Sequence, residues 1–338
     1  MPSLALRCRV CEAGFAATAL AACPVCDGPL DVAYDWRARR ARRRELPARR
    51  EDLWRYREAL PFLPSDNLSQ GRAPGWTPLV EAPRLSALCG VELLLKLETA
   101  NPTRSFKDRL AATALAAAEA LGLDAVCCVA GGYLGEAVAA RAEAQRQRVV
   151  LLSPVERERE AELARRPAWG SIEGNLAPYA AEGAKTVAFE IAEQLDWELP
   201  DAVVAPIATG ALFAKVAQGF AELAPLGLGS GRIPRMIGGQ PGECPPLPSD
   251  PRHGDLALGA AHISGGSIQS VPHREIRRSR ALLADRAGVF ADSAGGVALG
   301  ALRAAVGNGM LEPGARVVLV VSGTPAATRA PETGAVAL

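Results

Sequence analysis

From about residue 91 onward the chain alternates short, continuously apolar runs with alanine-rich segments. Runs such as VELLLKLE (91–98), AVCCVA (125–130), VVLLS (149–153) and VVLVVS (317–322), with others at 203–207 and 234–238, lack the in-out alternation of a strand with one wet face. A strand that is apolar at consecutive positions is buried on both faces, and a helix between such strands covers a parallel sheet. Helices are expected at 105–121, 136–147, 212–223 and 297–306, which makes the chain an α/β protein. Ligands of such sheets sit at the carboxyl ends of the strands, so the chemistry is sought in the loops that follow them. With 338 residues, 49% of them hydrophobic, the chain can bury the core of two domains plus a small appendage.

The loop after the first of these strands, NPTRSFKDR (101–109), centres on Lys107. Only four of the 38 basic residues are lysines, Lys96, Lys107, Lys185 and Lys215. A chain this rich in arginine keeps lysine where a guanidinium cannot substitute. The clearest such case is an amine that must lose its proton and condense with a carbonyl. Lys107 is therefore the candidate Schiff-base lysine, the alternative being a solvated surface lysine.

A second signal lies at the N-terminus, where Cys8-x-x-Cys11 and Cys23-x-x-Cys26 place four thiolates at the spacing of a tetrahedral zinc ribbon. A thioredoxin-like redox pair needs only one CxxC, inside a βαβ unit, and leaves the second unexplained. Four protein thiolates leave no open position, so the zinc is expected to be structural. Cys89, Cys127, Cys128 and Cys244 have no ligand spacing and should pack as small apolar groups. Between ribbon and core, eight arginines between Arg37 and Arg50 suggest either a nucleic-acid patch or a solvated helix followed by a packing segment around Trp54 and Tyr56. A net charge of +1 favours the second and argues against a nucleic-acid partner. No apolar run is long enough to span a membrane and MPSLALRCRV lacks a signal-peptide core, so the expected compartment is the cytoplasm. His253, His262 and His273 have no metal or triad spacing and are expected in loops or on the surface. Small-residue turns are expected at 264–267 and 294–296.

NPTRSFKDR resembles NPTGSFKDR, the lysine motif of the threonine synthase branch of the fold-type II pyridoxal-phosphate (PLP) enzymes, with Arg104 in place of glycine. Other segments resemble the branch in the expected order: Glu182-Gly-Ala-Lys-Thr186, the strand-turn-helix at 205–212, and Ser322-Gly323-Thr324. The resemblance runs from Leu6 to about Thr324 and includes the ribbon. It implies two parallel-sheet α/β domains with an N-terminal zinc ribbon: ribbon 1–35, linker and packing helix 36–75, and core 76–338, with a shortened small domain at about 98–200. It further implies that Lys107 holds PLP and abstracts the α-proton, with Ser105, Phe106, Tyr133, Thr209, Gly210, Ala211, Leu212 and Ser322 around the cofactor. Lys185 would be structural or lie near a phosphate. Arg104, Ala130, Gly131 and Gly132 would face an amino-acid substrate. Family members are usually homodimers, and the reaction class is β- or γ-elimination or replacement.

Three departures fall on the chemistry. The substrate loop, S-S/T-G-N in the branch, reads Ala130-Gly131-Gly132-Tyr133, losing the hydroxyls and the asparagine that contacts the cofactor 3′-oxygen. Tyr133 can donate to the same oxygen through its phenol but fills substrate space. Ala208, Thr209 and Ala211 stand where glycines are usual, and an alanine forced to positive φ costs roughly 1 kcal/mol. Finally, the twenty or so residues between Ser153 and Asn175 do not read as a strand-helix unit. A specialised biosynthetic enzyme and a pseudoenzyme scaffold remain the two readings, with Asp292-Ser293 as a weak substrate-facing candidate.

Overall fold

The computed structural model describes residues 4–65, 72–129, 131–242 and 251–325, with backbone alone for 251–253. The chain opens with an antiparallel sheet of β1 (Ala5–Cys8), β2 (Gly14–Ala16) and β3 (Leu30–Ala33) in the order β2-β1-β3. The expected arginine-rich helix is absent: Arg43–Ala48 and Leu53–Ala59 form 3₁₀ turns that wrap the core. The reason is that several of these arginines are spent on fixed partners. Arg39 donates to the Glu58 and Leu60 carbonyls, Arg43 to the Leu228 carbonyl, and Arg49 forks onto Glu58.

The core follows as β4 (Leu79–Glu81), α1 (Pro83–Cys89), β5 (Glu92–Leu97), α2 (Lys107–Ala120), β6 (Ala125–Val129), α3 (Tyr133–Gln145) and β7 (Val149–Leu152). Then come α4 (Arg157–Leu163), β8 (Trp169–Ser171), α5 (Ala177–Glu182), α6 (Thr186–Gln194), β9 (Ala202–Pro206) and α7 (Ala211–Leu226). It ends with β10 (Arg235–Pro241), α8 (Pro251–Ile263), β11 (Ser267–Val271), α9 (His273–Ala287), α10 (Ser293–Gly307) and β12 (Arg316–Val321). The main sheet has the order β11-β10-β9-β12-β5-β4, and a smaller one the order β7-β6-β8. All neighbours are parallel except the edge pair β4–β5.

Successive strand residues point to opposite faces, and both faces are buried. Leu94, Val203, Ala205, Val318 and Val320 join the core under α2, α6 and α7, whereas Leu93, Leu95, Val204, Val317 and Leu319 join the one under α1, α9 and α10. This two-sided burial is what the continuous apolar runs express. The segment after Ser153 corrects the sequence expectation, because it forms α4 and β8. It is short, but Leu163 buries against Cys127 and Leu152 and so holds the helix on the small sheet. Residues 294–296 are likewise the first turn of α10, capped by Asp292 accepting from the Gly295 N–H at 3.0 Å. Among the described residues no helix is long and apolar enough to cross a membrane.

Candidate active site

A cavity of about 570 Å³ opens at the carboxyl ends of the main-sheet strands, within the roughly 300–1,000 Å³ usual for small-molecule sites. Along the sheet edge its wall is built by Ser322 after β12, Pro206 to Gly210 after β9, Gln240 and Pro241 at the end of β10, and His273 after β11. Lys107, at the start of α2, stands at the β5–β12 end.

The lysine loop is stitched to the last strand. The Phe106 N–H donates to the Ser322 carbonyl at 3.0 Å, the Thr324 N–H to the Arg104 carbonyl at 3.1 Å, and Ser105 bridges Gly323 in antiparallel fashion. Two segments more than 200 residues apart in sequence thus form one rigid corner. Arg104 holds φ of 62°, the left-handed conformation for which glycine is suited, so the exchange of the branch's glycine for arginine carries strain. Arg104→Gly is expected to raise stability in denaturant titration by roughly 0.5–1 kcal/mol, the side chain's αL cost less glycine's added chain entropy.

The lysines sort cleanly. Lys96 pairs with Glu190 at 2.8 Å, Lys185 with Glu182 at 2.5 Å and Glu222 at 2.8 Å, and Lys215 with Glu182 at 2.6 Å, all fully or almost fully buried. Lys185 is therefore structural, lying 4.1 Å from the Tyr34 ring that fixes the N-terminal sheet to the core. Among the described residues Lys107 is the lysine whose ammonium makes no ion pair, and its nitrogen sits 4.7 Å over the Phe106 ring. Burial pushes its pKa below the ordinary lysine range, with Glu173 pulling the other way. The helix N-terminus at which it stands disfavours a cation further. An amine so placed is poised to be neutral, the form that attacks a carbonyl.

At the middle of the cavity the turn 206–210 feeds α7, a helix of sixteen residues. Gly210 takes φ of 91°, whereas Ala208, Thr209 and Ala211 have negative φ. The feared alanine strain is thus absent, because the one retained glycine absorbs the left-handed turn. Thr209, Gly210 and Leu212 line the cavity, while Ala211 contributes the first helical N–H, and such an N-terminus favours phosphate. Ser322 is buried on the cavity wall.

Tyr133 starts α3 and reaches across to donate to the Thr324 carbonyl at 2.5 Å, so its phenol ties the small-sheet unit to the main-sheet corner. It also bonds the Asp292 carboxylate, whose pKa burial raises and the bonds from Gly295 and Tyr133 offset only in part. Gly131 and Gly132 are exposed beside it and, like Arg104, are not on the cavity wall; Ala130 lies outside the described residues. Sequence reasoning missed the wall contributed by α9 and β10. His273, expected in a loop or on the surface, is exposed as expected but stands at the start of α9, where it also lines the cavity together with Arg277, Arg280 and Gln240. His262 is exposed on α8, and the His253 side chain and Cys244 are outside the described set. Cys89, Cys127 and Cys128 are buried, as expected.

The sulfurs of Cys8, Cys11, Cys23 and Cys26 all lie within 4.8 Å of one another, with Cys8–Cys26 at 3.4 Å and Cys11–Cys23 at 3.6 Å. Zn–S bonds of about 2.3 Å put tetrahedral sulfurs roughly 3.8 Å apart, so the cluster fits a metal ion. Backbone N–H groups of Cys11 and Val10 aim at Cys8 and lower its thiol to about 6.

Comparison with known proteins agrees with this geometry. The sequence model of the family described as "Pyridoxal-phosphate dependent enzyme" matches residues 71–160 and 141–323, and the chain belongs to that family. It is 29% identical to a threonine synthase of Methanosarcina acetivorans over 94% of this chain and 91% of that protein. It is 26% identical to a threonine synthase of Methanocaldococcus jannaschii over 88% of this chain and 86% of that one. The fold is shared with the crystal structure of serine racemase from Dictyostelium discoideum at a TM-score of 0.59 and 16% identity, covering 74% of this chain and 92% of that one.

Proposed function

We propose that the protein is a PLP-dependent lyase or transferase that eliminates or replaces a group at the β or γ carbon of an amino acid, in specialised biosynthesis, not housekeeping threonine synthesis. The observation that carries this reading is Lys107, a partly desolvated amine without an ion-pair partner among the described residues, facing a cavity that also presents a helix N-terminus and Ser322. Bound PLP would supply an electron sink for charge developing at the α-carbon. Lys107 would hold the carbonyl carbon and afterwards carry the α-proton on Nζ. The Thr209–Leu212 turn would hold the phosphate, and Ser322 would meet the ring nitrogen. The Phe106 ring and Tyr133 line the same cavity. The deciding measurement is the visible spectrum of the purified chain given excess PLP. A band that borohydride removes supports the reading, and a colourless protein overturns it.

The altered 130–133 loop favours a second reading, an inactive scaffold on the same fold. A loop without the branch's hydroxyls and asparagine should bind a plain α-carboxylate poorly, each lost hydrogen bond to a charged group being worth about 1.5–3 kcal/mol. O-phosphohomoserine is accordingly expected to turn over very slowly or not at all. Threonine formation at an ordinary enzymatic rate would show this reading of the loop to be wrong.

The four-cysteine cluster is assigned to a structural zinc, and the protein to a cytoplasmic homodimer acting without nucleic acid or membrane. Because binding energy of such a site is folding energy for the ribbon, chelation should unfold residues 4–35 first and lower any activity only indirectly. Hydrogen exchange with and without chelator reads this, and elemental analysis finding no zinc in chelator-free preparations rejects it.

A further inference from the structure

Four buried charges stand off the cavity wall, where the proposed reaction has no use for them. Glu182 at the end of α5, Lys185 just after it, and Lys215 and Glu222 on α7 interlock through Glu182–Lys185 at 2.5 Å, Glu182–Lys215 at 2.6 Å and Lys185–Glu222 at 2.8 Å. Further partners come from the N-terminal sheet. β3 pairs Leu30 with Cys8 of β1, one of the four clustered cysteines, and the chain runs on from there through Asp31 to Tyr34. Asp31 lies 3.8 Å from Lys215 Nζ, and the Tyr34 phenol donates to Glu182 at 2.6 Å. The Tyr34 ring, stacked 4.7 Å from the Trp36 ring, covers Lys185 Nζ at 4.1 Å. A second tie runs to α5 itself, where the Tyr179 phenol donates to the Thr18 carbonyl at 2.8 Å.

The place of the gripped segment gives these ties their consequence. α5 has six residues, too few to hold a helix without packing. It is wedged between α2 and α7. The Thr113 hydroxyl of α2 donates to the Ala180 carbonyl at 3.0 Å, Glu182 binds Lys215 of α7, and a β-carbon at Gly219 of α7 would stand 2.4 Å from the Lys185 carbonyl. α2 begins with Lys107 and α7 follows the Gly210 turn, so the two helices whose N-termini meet the cavity share one short support. Without the ribbon, Glu182 and Lys185 lose their cover, water weakens each ion pair, and α5 loses both side-chain bonds that hold it from outside.

We propose that the ribbon is a metal-dependent clamp on residues 177–185, through which occupancy of the four-cysteine site sets the order of α2 and α7 and hence the cavity's hold on its ligand. The metal rests on the zinc reading above and the ligand on the cofactor reading. Zinc in the ribbon and the ligand in the cavity then strengthen each other's binding by the same factor.

The test is hydrogen exchange of the full chain, zinc-loaded and chelated, with no cofactor present. Chelation is expected to raise exchange by about fivefold or more at 177–185 and in the N-terminal halves of α2 and α7, whereas α9 and α10, on the other face of the main sheet, keep their protection. Tyr34→Phe keeps the ring and removes the bond to Glu182, so it should raise exchange at 177–185 with zinc still bound. Arg7→Gln, on the exposed side of the ribbon, should leave it unchanged. In PLP titrations chelation should weaken binding, and saturating PLP should raise by the same factor the chelator concentration that removes half the zinc. Chelation that unfolds residues 4–35 yet leaves 177–185 protected, or that raises exchange equally in α9 and α10, overturns the clamp while the zinc reading stands. Absence of zinc on elemental analysis overturns the zinc reading and the clamp with it. A zinc-bound chain that shows the exchange changes but takes up no PLP overturns the cofactor reading and supports the clamp.

Discussion

Lys107→Ala is expected to abolish covalent uptake of PLP altogether. The wild-type chain should fix one cofactor on the peptide containing Lys107 after borohydride reduction, and the variant none. The other three lysines do not compete. Lys96, Lys185 and Lys215 are buried in ion pairs with Glu190, Glu182 and Glu222, so each amine is already engaged and enclosed by the core. Burial lowers the pKa of Lys107, so its neutral form is available at a pH where a solvated lysine is almost wholly protonated. Uptake measured against pH should therefore rise with a midpoint below that of an ordinary lysine. Equal labelling of wild type and variant, or label spread over several lysines, would remove Lys107 from the role assigned to it.

The same sorting shows what the sequence could reveal. Scarcity of lysine pointed to a special role for each, but four positions carried two different reasons. Three are compact point charges for buried carboxylates, and only Lys107 lacks such a partner in the described structure. Adjacency in sequence to Ser105 and Asp108 does not distinguish these cases; the position of α5, α6 and α7 does, because it brings Glu182, Glu190 and Glu222 to the other lysines. The sheet was legible for a plainer reason. Strands buried on both faces leave an apolar run that needs no partner to be recognised, and β5, β6, β9 and β12 fell within a residue or two of expectation. The α9 wall was not legible, since a helix with arginines at many positions looks solvated all round until α10 and β10 show which face lines the cavity. Likewise α4 and β8 are too short to declare themselves and exist through packing of Leu163.

The largest stability effect is expected at Arg109, two residues beyond the lysine. Its fully buried guanidinium bonds Glu98 at 2.6 and 2.7 Å and Glu190 at 2.5 and 2.9 Å, and also reaches Thr186 and Thr77. This ties the first turn of α2, and hence Lys107, to α6 and to the end of β5. A β-carbon at Gly183 would lie 2.3 Å from the Arg109 carbonyl, so the backbone here is as confined as the side chain. Arg109→Ala leaves two carboxylates in the core, with Lys96 alone to offset them, and should cost about 3–5 kcal/mol in denaturant titration at neutral pH. Burial pushes the Glu190 carboxyl up, but the combined pull of Arg109 and Lys96 is larger and holds it at about 2, against an ordinary 4.5. Its contribution in the wild type is therefore present above pH 4.5 and lost as pH falls toward 2. In the variant the sign reverses. Burial then dominates, the folded state favours the protonated carboxyl, and acidification relieves part of the damage. The stability gap between the two proteins should narrow as pH is lowered, and a gap under about 1 kcal/mol at neutral pH would show that the network is not what holds α2 in place.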